Sequence, residues 1–277
     1  MISINHLNFG YHKKYMVLEN LNLHIKPGHI YGLLGRNGAG KSSLLHNICG
    51  LLFPSNGTCL VAGETPANRK PQFLQQVYLL PEEIYLPNVS IKNYLAIYAP
   101  FYPAFDHDMF YRFLTEFDIP KENKLQNMSY GQKKKVMISF ALATQAKVLL
   151  MDEPTNGLDI PSKKQFRKII AGIIKDDQLI IISTHQVKDL DSLIDYVLVL
   201  EDKQIILNQP IENITEKLAF KQVINLDEVA SPIYSEGALK GYAVVAINHK
   251  KENSRLDMEM FFNAVLSEKQ LVLSQFN

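Results

Sequence analysis

The residues with the clearest chemistry form a glycine-rich loop that fits the phosphate-binding pattern G-x-x-x-x-G-K-[ST] without a mismatch. Glycines let successive backbone N–H groups turn inward and form a concave anion site. The lysine can reach the β- and γ-phosphates of a nucleoside triphosphate, and the hydroxyl after it can ligate Mg²⁺. The predicted nucleotide-binding residues are therefore Gly35, Arg36, Asn37, Gly38, Ala39, Gly40, Lys41, Ser42 and the neighbouring Ser43.

The segments on both sides of this loop agree with that interpretation. Residues 30–34 predict a buried strand that enters the loop, and residues 43–48 predict a helix that ends near Gly50. A helix that begins at the loop directs its positive end toward the bound anion. A chance match to the pattern is the alternative, and these flanking segments argue against it.

Two acidic residues, Asp152 and Glu153, directly follow the apolar run at residues 148–151. Carboxylates at the carboxyl end of a strand lie at the ligand edge of an α/β sheet. Asp152 is predicted to hold Mg²⁺, and Glu153 to polarise the attacking water as a general base. A surface acidic pair is the alternative. His185 closes a strand at 179–184, from which it could reach a γ-phosphate, although a lone histidine there is more often a structural cap.

A second candidate anion site lies at the signature segment, residues 129–132 (Ser-Tyr-Gly-Gln), which precedes a predicted helix at 133–143. Ser129 is a reasonable N-cap residue for that helix. The same geometry directs the helix N-terminus, the serine hydroxyl and the Gly131 backbone toward a phosphate.

Continuous apolar strands at 148–151, 179–182 and 196–200 are typical of parallel strands covered on both faces. They alternate with helical stretches at 162–175 and 186–194, which predicts an α/β core. We expect a P-loop NTPase core over residues 1–210.

Three smaller regions are expected around or beyond that core. An N-terminal antiparallel β-subdomain is predicted from β-rich segments at 2–9 and 17–25, and an inserted helical subdomain is predicted at 88–145, where many aromatics form its core. Residues 211–277 predict a small α+β accessory domain. Its expected elements are strands at 222–227 and 242–247 and a helix at 257–268.

Composition excludes some classes of partner. The chain has 277 residues and a net charge of +1, so no global field favours nucleic acid, and no nucleic-acid partner is expected. No apolar run approaches the ~18 residues of a membrane-spanning helix. The N-terminal residues lack the basic and apolar regions of a signal peptide. Cys49 and Cys59 are predicted to be reduced core residues.

The order of these elements resembles that of the ATP-binding subunits of ABC transporters, over residues 1 to about 210. The resemblance is carried by Tyr11, the loop 35–42, the signature segment, the Asp152-Glu153-Pro154 and Asn156-Gly157-Leu158-Asp159 segments, and His185. It implies ATP with Mg²⁺ as ligands, Tyr11 stacked on adenine, and His185 as a sensor of the γ-phosphate. It also implies that Ser129, Gly131 and Gln132 bind the nucleotide held by an opposite subunit, and that Asp159 communicates across that dimer.

Two residues depart from the family pattern. Tyr130 occupies the first of the two glycine positions that usually precede the signature glutamine, so its side chain must point away from the phosphates for contact across the dimer. Glu82 stands where a sensor glutamine is expected, and its carboxylate can still ligate Mg²⁺. The Glu82 replacement and the tail at 211–277 resemble a bacterial exporter-type branch.

The resemblance implies a peripheral ATPase subunit at the cytoplasmic face of the cell membrane, which drives export by a separate integral membrane permease. One phosphate loop and one signature per chain imply a homodimer or a heterodimer with a second ATPase. One alternative is a soluble ABC-type ATPase acting on a ribosome, DNA or a protein complex. Another is an unrelated phosphate-loop kinase or GTPase, which would leave the signature segment, Glu153 and His185 without a role.

Overall fold

The fold is an α/β core with two antiparallel sheets and a helical region attached to it. The computed structural model describes residues 1–12, 14–190, 193–249 and 251–276. Among these residues the strands are, in chain order, β1 (Ile2–Phe9), β2 (Leu18–Ile25), β3 (His29–Leu34), β4 (Asn56–Val61), β5 (Val77–Leu80), β6 (Val148–Asp152), β7 (Leu179–Thr184), β8 (Tyr196–Glu201), β9 (Gln204–Pro210), β10 (Leu218–Val223), β11 (Pro232–Ala238) and β12 (Gly241–Ile247). The helices are α1 (Lys41–Ile48), α2 (Pro71–Leu74), α3 (Ile91–Tyr98), α4 (His107–Glu116), α5 (Tyr130–Ala143), α6 (Ile160–Ala171), α7 (Ile211–Lys217), α8 (Met258–Ser267) and α9 (Lys269–Leu273).

The central sheet has the strand order β5-β6-β7-β3-β8-β9, in which β9 is antiparallel to β8 and the other neighbours are parallel. Every residue of β6 and β7 is buried, as strands covered on both faces must be. The register pairs Leu34 with Thr184 and Asp152 with Ser183. The carboxyl ends of β3, β6 and β7 therefore meet at one edge, which confirms the predicted α/β core.

The N-terminal sheet has the order β2-β1-β4 and is antiparallel, which confirms the predicted β-subdomain. Its buried face shares a hydrophobic cluster with α1 and with the side chains of β3 that face it, including Leu7, Leu45 and Leu33. This packing fixes α1, and with it the phosphate loop, between the two sheets.

Helices α3, α4 and α5 form the helical region that the sequence predicted. Its core is aromatic, with Phe110, Phe113 and Phe140 almost fully buried and Tyr94 packed edge-on against Phe140 at a centroid distance of 5.3 Å. These buried aromatics are therefore packing residues.

The C-terminal sheet has the order β10-β12-β11, and α8 packs against it. Phe261 and Val265 of α8 are fully buried in the same hydrophobic cluster as Ile182 of β7 and Val197 of β8. Residues 211–276 thus share a continuous core with the central sheet.

Several predicted boundaries were wrong. The helix expected at 186–194 is a 3₁₀ turn over Val187–Leu190, and residues 191 and 192 lie outside the described residues. The helix expected at 162–175 spans Ile160–Ala171, because Asp159 caps its start and Gly172 follows its end. Helix α5 begins at Tyr130, directly after its Ser129 cap, and not at Lys133.

Two strands at the edges of sheets, β9 and β11, were not predicted from the sequence. β9 and β11 have mixed polarity and are only partly buried, so neither shows the apolar run that marked the central strands. The turn before β9 uses Asp202 and Lys203, both with positive φ, in place of the Asn-Gly type pair that signals a hairpin. β10 begins at Leu218, four residues before the expected strand.

Candidate nucleotide site

A cavity of about 460 Å³ lies at the carboxyl edge of the central sheet. It brings together residues from five separate parts of the sequence. Those predicted from sequence that line it are Tyr11, Asn37, Gly38, Gly40, Lys41, Ser42, Ser43, Glu82, Asp152, Glu153 and His185. Val17 also lines the cavity and carried no sequence signal.

The phosphate loop, residues 35–42, connects β3 to the N-terminus of α1. Gly38 has φ +79° and Gly40 has φ +105°, a backbone conformation that side chains with a Cβ rarely adopt. A Cβ on Gly40 would also lie 2.9 Å from the Cγ1 of Val17. The loop therefore needs glycine at 40 both for its backbone conformation and for its contact with Val17.

Lys41 is buried at the first position of α1. Its Nζ donates hydrogen bonds to the carbonyl oxygens of Gly35, at 2.8 Å, and Arg36, at 3.2 Å. Burial lowers the pKa of Lys41, and the carboxylates of Glu153, Asp152 and Glu82 counteract that lowering. A cation and the N-terminus of α1 are thus directed at the place where a phosphate would bind.

Tyr11 lies beside the loop with its side chain 60% exposed. Its hydroxyl and that of Ser43 are 3.0 Å apart, and its ring meets Phe9 edge-on at a centroid distance of 5.1 Å. An exposed aromatic ring anchored at the loop has the geometry that stacking on a nucleobase requires.

Asp152 and Glu153 are both nearly fully buried, and β7 supplies their hydrogen bonds. The Ser183 hydroxyl donates to Oδ1 of Asp152. Glu153 accepts a hydrogen bond from the Thr184 hydroxyl at 3.0 Å and from the backbone N–H of His185 at 2.8 Å, and Nδ1 of His185 lies 2.7 Å from its Oε1. Glu153 also has φ +46°, which turns its side chain at the end of the strand. Glu153 and His185, placed separately by the sequence, therefore form one hydrogen-bonded pair.

Sequence reasoning missed the roles of Ser183 and Thr184. The available signal was two hydroxyl residues ending an otherwise apolar strand, where buried polar groups need partners. Using that signal requires knowing that β6 and β7 are neighbours in the sheet. The order of elements along the chain does not reveal this.

The oxygen ligands at the cavity fit a magnesium ion. Ser42 contributes a hydroxyl, and Asp152 and Glu82 contribute carboxylates, all lining the same space. Mg²⁺ is usually held by one or two carboxylates together with substrate phosphates. In the described part of the chain no cluster of three or more His, Cys, Asp or Glu is arranged to hold a metal ion.

Glu82 follows β5 and is anchored by residues that the sequence analysis did not assign. Its Oε1 accepts a hydrogen bond from Nδ2 of Asn156 at 3.1 Å. Its backbone carbonyl accepts one from Nζ of Lys134 at 2.9 Å. Burial lowers the pKa of Lys134 to about 8, and the carboxylates of Glu82, Asp152 and Glu153 oppose this shift.

The signature segment does not line this cavity. Ser129 and Gln132 form a capping box, in which the Ser129 hydroxyl accepts from the backbone N–H of Gln132 at 3.2 Å and the Gln132 side chain accepts from the backbone N–H of Ser129 at 3.0 Å. Gly131 lies in the first turn of α5 and close to the loop that follows β6. A Cβ on Gly131 would lie 3.0 Å from the carbonyl oxygen of Gly157. The N-cap expected at Ser129 is present.

Asp159 also lies outside the cavity and caps α6. Its carboxylate accepts a hydrogen bond from the backbone N–H of Ser162 at 2.9 Å. Hydrogen bonds from the Ser162 side chain and backbone lower the pKa of Asp159.

A sequence profile of the ABC transporter family matches residues 18–156, just over half of the chain. This match includes the phosphate loop, the signature segment and both carboxylates of the cavity. The chain therefore belongs to the ABC transporter family. It is an ATP-binding protein of that family, whose members hydrolyse ATP to power transport.

Curated relatives and a solved structure agree with that assignment. The chain is 27% identical over 217 residues to the ABC transporter ATP-binding protein YtrB of Bacillus subtilis, covering 76% of this chain and 74% of YtrB. It is 28% identical over 193 residues to the Nod factor export ATP-binding protein I of Cupriavidus metallidurans, covering 68% and 64%. The structure of cbiO1 from Clostridium perfringens, described as part of the ABC transporter complex cbiONQ, superposes with a TM-score of 0.61 at 26% identity, covering 76% of this chain and 88% of cbiO1.

No helix within the described ranges has the length and apolar character that crossing a bilayer requires. ABC transporter ATP-binding subunits work together with transmembrane components.

The hydrogen bond from Thr184 to Glu153 generates a testable prediction. Replacing Thr184 by Val keeps the shape of the side chain and removes the hydroxyl. Because hydrogen bonds to buried charges are strong, kcat for ATP hydrolysis should fall by about tenfold. Steady-state phosphate release measures this. The control is Thr215→Val, which removes a hydroxyl that bonds to carbonyls within α7. An unchanged kcat in Thr184→Val would contradict the prediction.

Proposed function

We propose that this chain is the ATPase subunit of an exporter and that it works as a dimer beneath a separate membrane permease. The observation that carries this proposal is that the nucleotide cavity of one chain does not include the chain's own signature segment. Every loop, acidic and sensor residue predicted to touch the chain's own nucleotide surrounds one cavity, or lies on the loop that forms it, whereas the signature segment lies elsewhere. We propose residues 1–210 as the ATP-binding domain and 211–277 as an accessory domain.

A second ATPase subunit would complete the site. The N-terminus of α5, a helix of 14 residues, offers a positive helix end and the Gly131 backbone to an anion. Asp159 at the start of α6 is likewise outside the cavity. An arrangement in which each chain presents its signature segment to the other's nucleotide gives both segments a ligand. A homodimer and a heterodimer satisfy this equally.

The proposed cycle uses the residues described above. The backbone N–H groups of the loop and Lys41 bind the phosphates, Tyr11 stacks on the base, and Ser42, Asp152 and Glu82 hold Mg²⁺. When bound, Mg²⁺ neutralises charge on the β- and γ-phosphates. Glu153 orients the water for in-line attack, with His185 beside it at the γ-phosphate. ATP binding closes the dimer, and hydrolysis reopens it.

The role of Glu153 is tested by Glu153→Gln. This substitution keeps the shape of the side chain and removes the general base, so turnover should fall by roughly 10²–10⁴-fold. ATP should then accumulate unhydrolysed, and sedimentation analysis should show a stable ATP-dependent dimer. Glu122→Gln, on the surface of the helical region, should behave like the wild type. Unchanged turnover in Glu153→Gln would overturn the role of this residue.

A groove of about 630 Å³ beside β5 and α3 supports the proposed contact with the permease. Its walls are mainly apolar and aromatic, and Phe101 at its rim is 64% exposed. The segment from Leu80 to Ile91 connects β5 and α3, and it contains Glu82 of the nucleotide cavity. We propose that an amphipathic helix of the permease occupies this groove, so that movement at Glu82 reaches the membrane partner.

Phe101→Asp tests this surface. A charge at the rim should weaken binding of the apolar helix and reduce the amount of permease that co-purifies with the ATPase. ATP affinity of the isolated subunit should stay unchanged, because Phe101 does not line the nucleotide cavity. Leu239→Asp, at a fully exposed leucine of the tail, is the matched control. Undiminished co-purification of Phe101→Asp would contradict the groove as the docking surface.

Export is supported by the similarity to a Nod factor export protein and by Glu82 and the tail, which resemble an exporter-type branch. Transport direction is tested with inside-out membrane vesicles that contain the complex. With ATP and a cytosolic extract outside, mass spectrometry should find compounds enriched in the lumen for the wild type and not for Glu153→Gln. ATP-dependent loss of compounds loaded in the lumen would instead indicate import.

A further inference from the structure

The two residues that depart from the family pattern, Tyr130 and Glu82, are in direct contact. The hydroxyl of Tyr130 donates a hydrogen bond to the backbone carbonyl oxygen of Glu82 at 2.8 Å. The Tyr130 ring lies against Gly157, where a Cβ would be 2.6 Å from two ring carbons. The side chain is therefore turned toward its own chain, and it fits there because residue 157 is glycine.

Lys134 reaches the same carbonyl from the next turn of α5. Residues at i and i+4 share one helix face, so Tyr130 and Lys134 point in the same direction. The Lys134 side chain is fully buried, and its Nζ donates to the carbonyl oxygens of Glu82, at 2.9 Å, and Pro81, at 3.2 Å. A buried ammonium is costly unless it is paired, which makes these bonds a strong constraint on the Glu82 backbone.

The side chain of Glu82 is constrained as well. Its carboxylate lines the nucleotide cavity and accepts the hydrogen bond from Asn156, the residue before Gly157. Glu82 is thus held by α5 at its backbone and by the loop after β6 at its carboxylate. A glycine at position 130 could make no bond to Glu82.

We propose that Tyr130 and Lys134 are positioning residues that orient the Glu82 carboxylate for Mg²⁺-ATP. By the same bonds they couple the start of α5 to the chain's own nucleotide cavity. The inference rests on the proposed function and adds a reason for both departures: a glutamate at 82 that acts as a metal ligand is held in place by a tyrosine at 130. The side-chain hydrogen bonds from the first turns of α5 thereby serve the cavity of the same chain.

A double-mutant cycle between Tyr130→Phe and Glu82→Ala tests this coupling. Phenylalanine keeps the ring on Gly157 and removes the hydroxyl bond alone. The readout is the equilibrium affinity for a fluorescent ATP analogue, titrated with Mg²⁺ and again in EDTA, so hydrolysis is not needed. Tyr242→Phe, which removes a hydroxyl in the tail, is the matched control.

Tyr130→Phe should weaken binding in Mg²⁺ by about threefold to tenfold, the factor that one hydrogen bond is worth, and leave binding in EDTA unchanged. In the Glu82→Ala background it should cause no further loss, since the carboxylate that it positions is gone. Equal weakening in Mg²⁺ and EDTA, or full additivity with Glu82→Ala, would overturn the inference and leave Tyr130 a structural residue. A wild-type protein that binds no nucleotide would instead refute the proposed function.

Lys134→Met provides a second, independent arm. Methionine has a similar length and an apolar stem but no ammonium. Thermal unfolding, measured with and without bound nucleotide, checks that the variant is folded. The folded variant should show the same selective loss of Mg²⁺-dependent affinity, again absent with Glu82→Ala. Should Lys134→Met fail to fold, the Tyr130→Phe cycle still decides. Wild-type Mg²⁺ dependence in both variants would overturn the proposal.

Discussion

The burial of Glu153 is the constraint on which the rest of the site depends. A carboxylate withdrawn from water needs several hydrogen bonds, and the end of β7 supplies them through Thr184 and His185. This is possible only because β6 and β7 are parallel neighbours whose ends stop at the same level. Moving either strand by one residue would direct these side chains to the opposite face of the sheet. The strand order thus sets the chemistry before any ligand binds.

Carboxylates outnumber ammonium groups in the cavity. Lys41 and the N-terminus of α1 face a group of carboxylates formed by Glu82, Asp152 and Glu153, and each of these four side chains has a hydrogen-bond partner. Such a site is ready for a ligand that brings both anionic phosphates and a cation, which is what a magnesium nucleotide does. The signature segment lies outside this cavity, and that position is the basis for proposing a second ATPase subunit.

The C-terminal tail packs against elements that carry residues of the nucleotide site. Helix α8 lies against the 3₁₀ turn at Val187–Leu190, two residues after His185, and Glu259 of α8 pairs with Lys188 at 2.5 Å. Apolar residues of α8 also share a cluster with β7 and β8. The C-terminal region therefore contacts the segment that follows His185, although the sequence suggested a separate unit.

The ligand class and the core of the fold can be predicted from the sequence, because both depend on local patterns. The phosphate loop needs glycines at fixed spacing, and buried parallel strands need continuous apolar runs. Residues 30–42 and 148–152 show these patterns, so the loop and the strands could be predicted from them. Partly buried edge strands such as β9 left no such pattern. The contacts between distant groups became visible only in the folded chain: Ser183 with Asp152, Asn156 and Lys134 with Glu82, and Tyr130 with both Glu82 and Gly157. Those contacts join residues that lie 27 to 74 positions apart in the sequence, and they follow from strand order and helix packing, which local sequence does not encode.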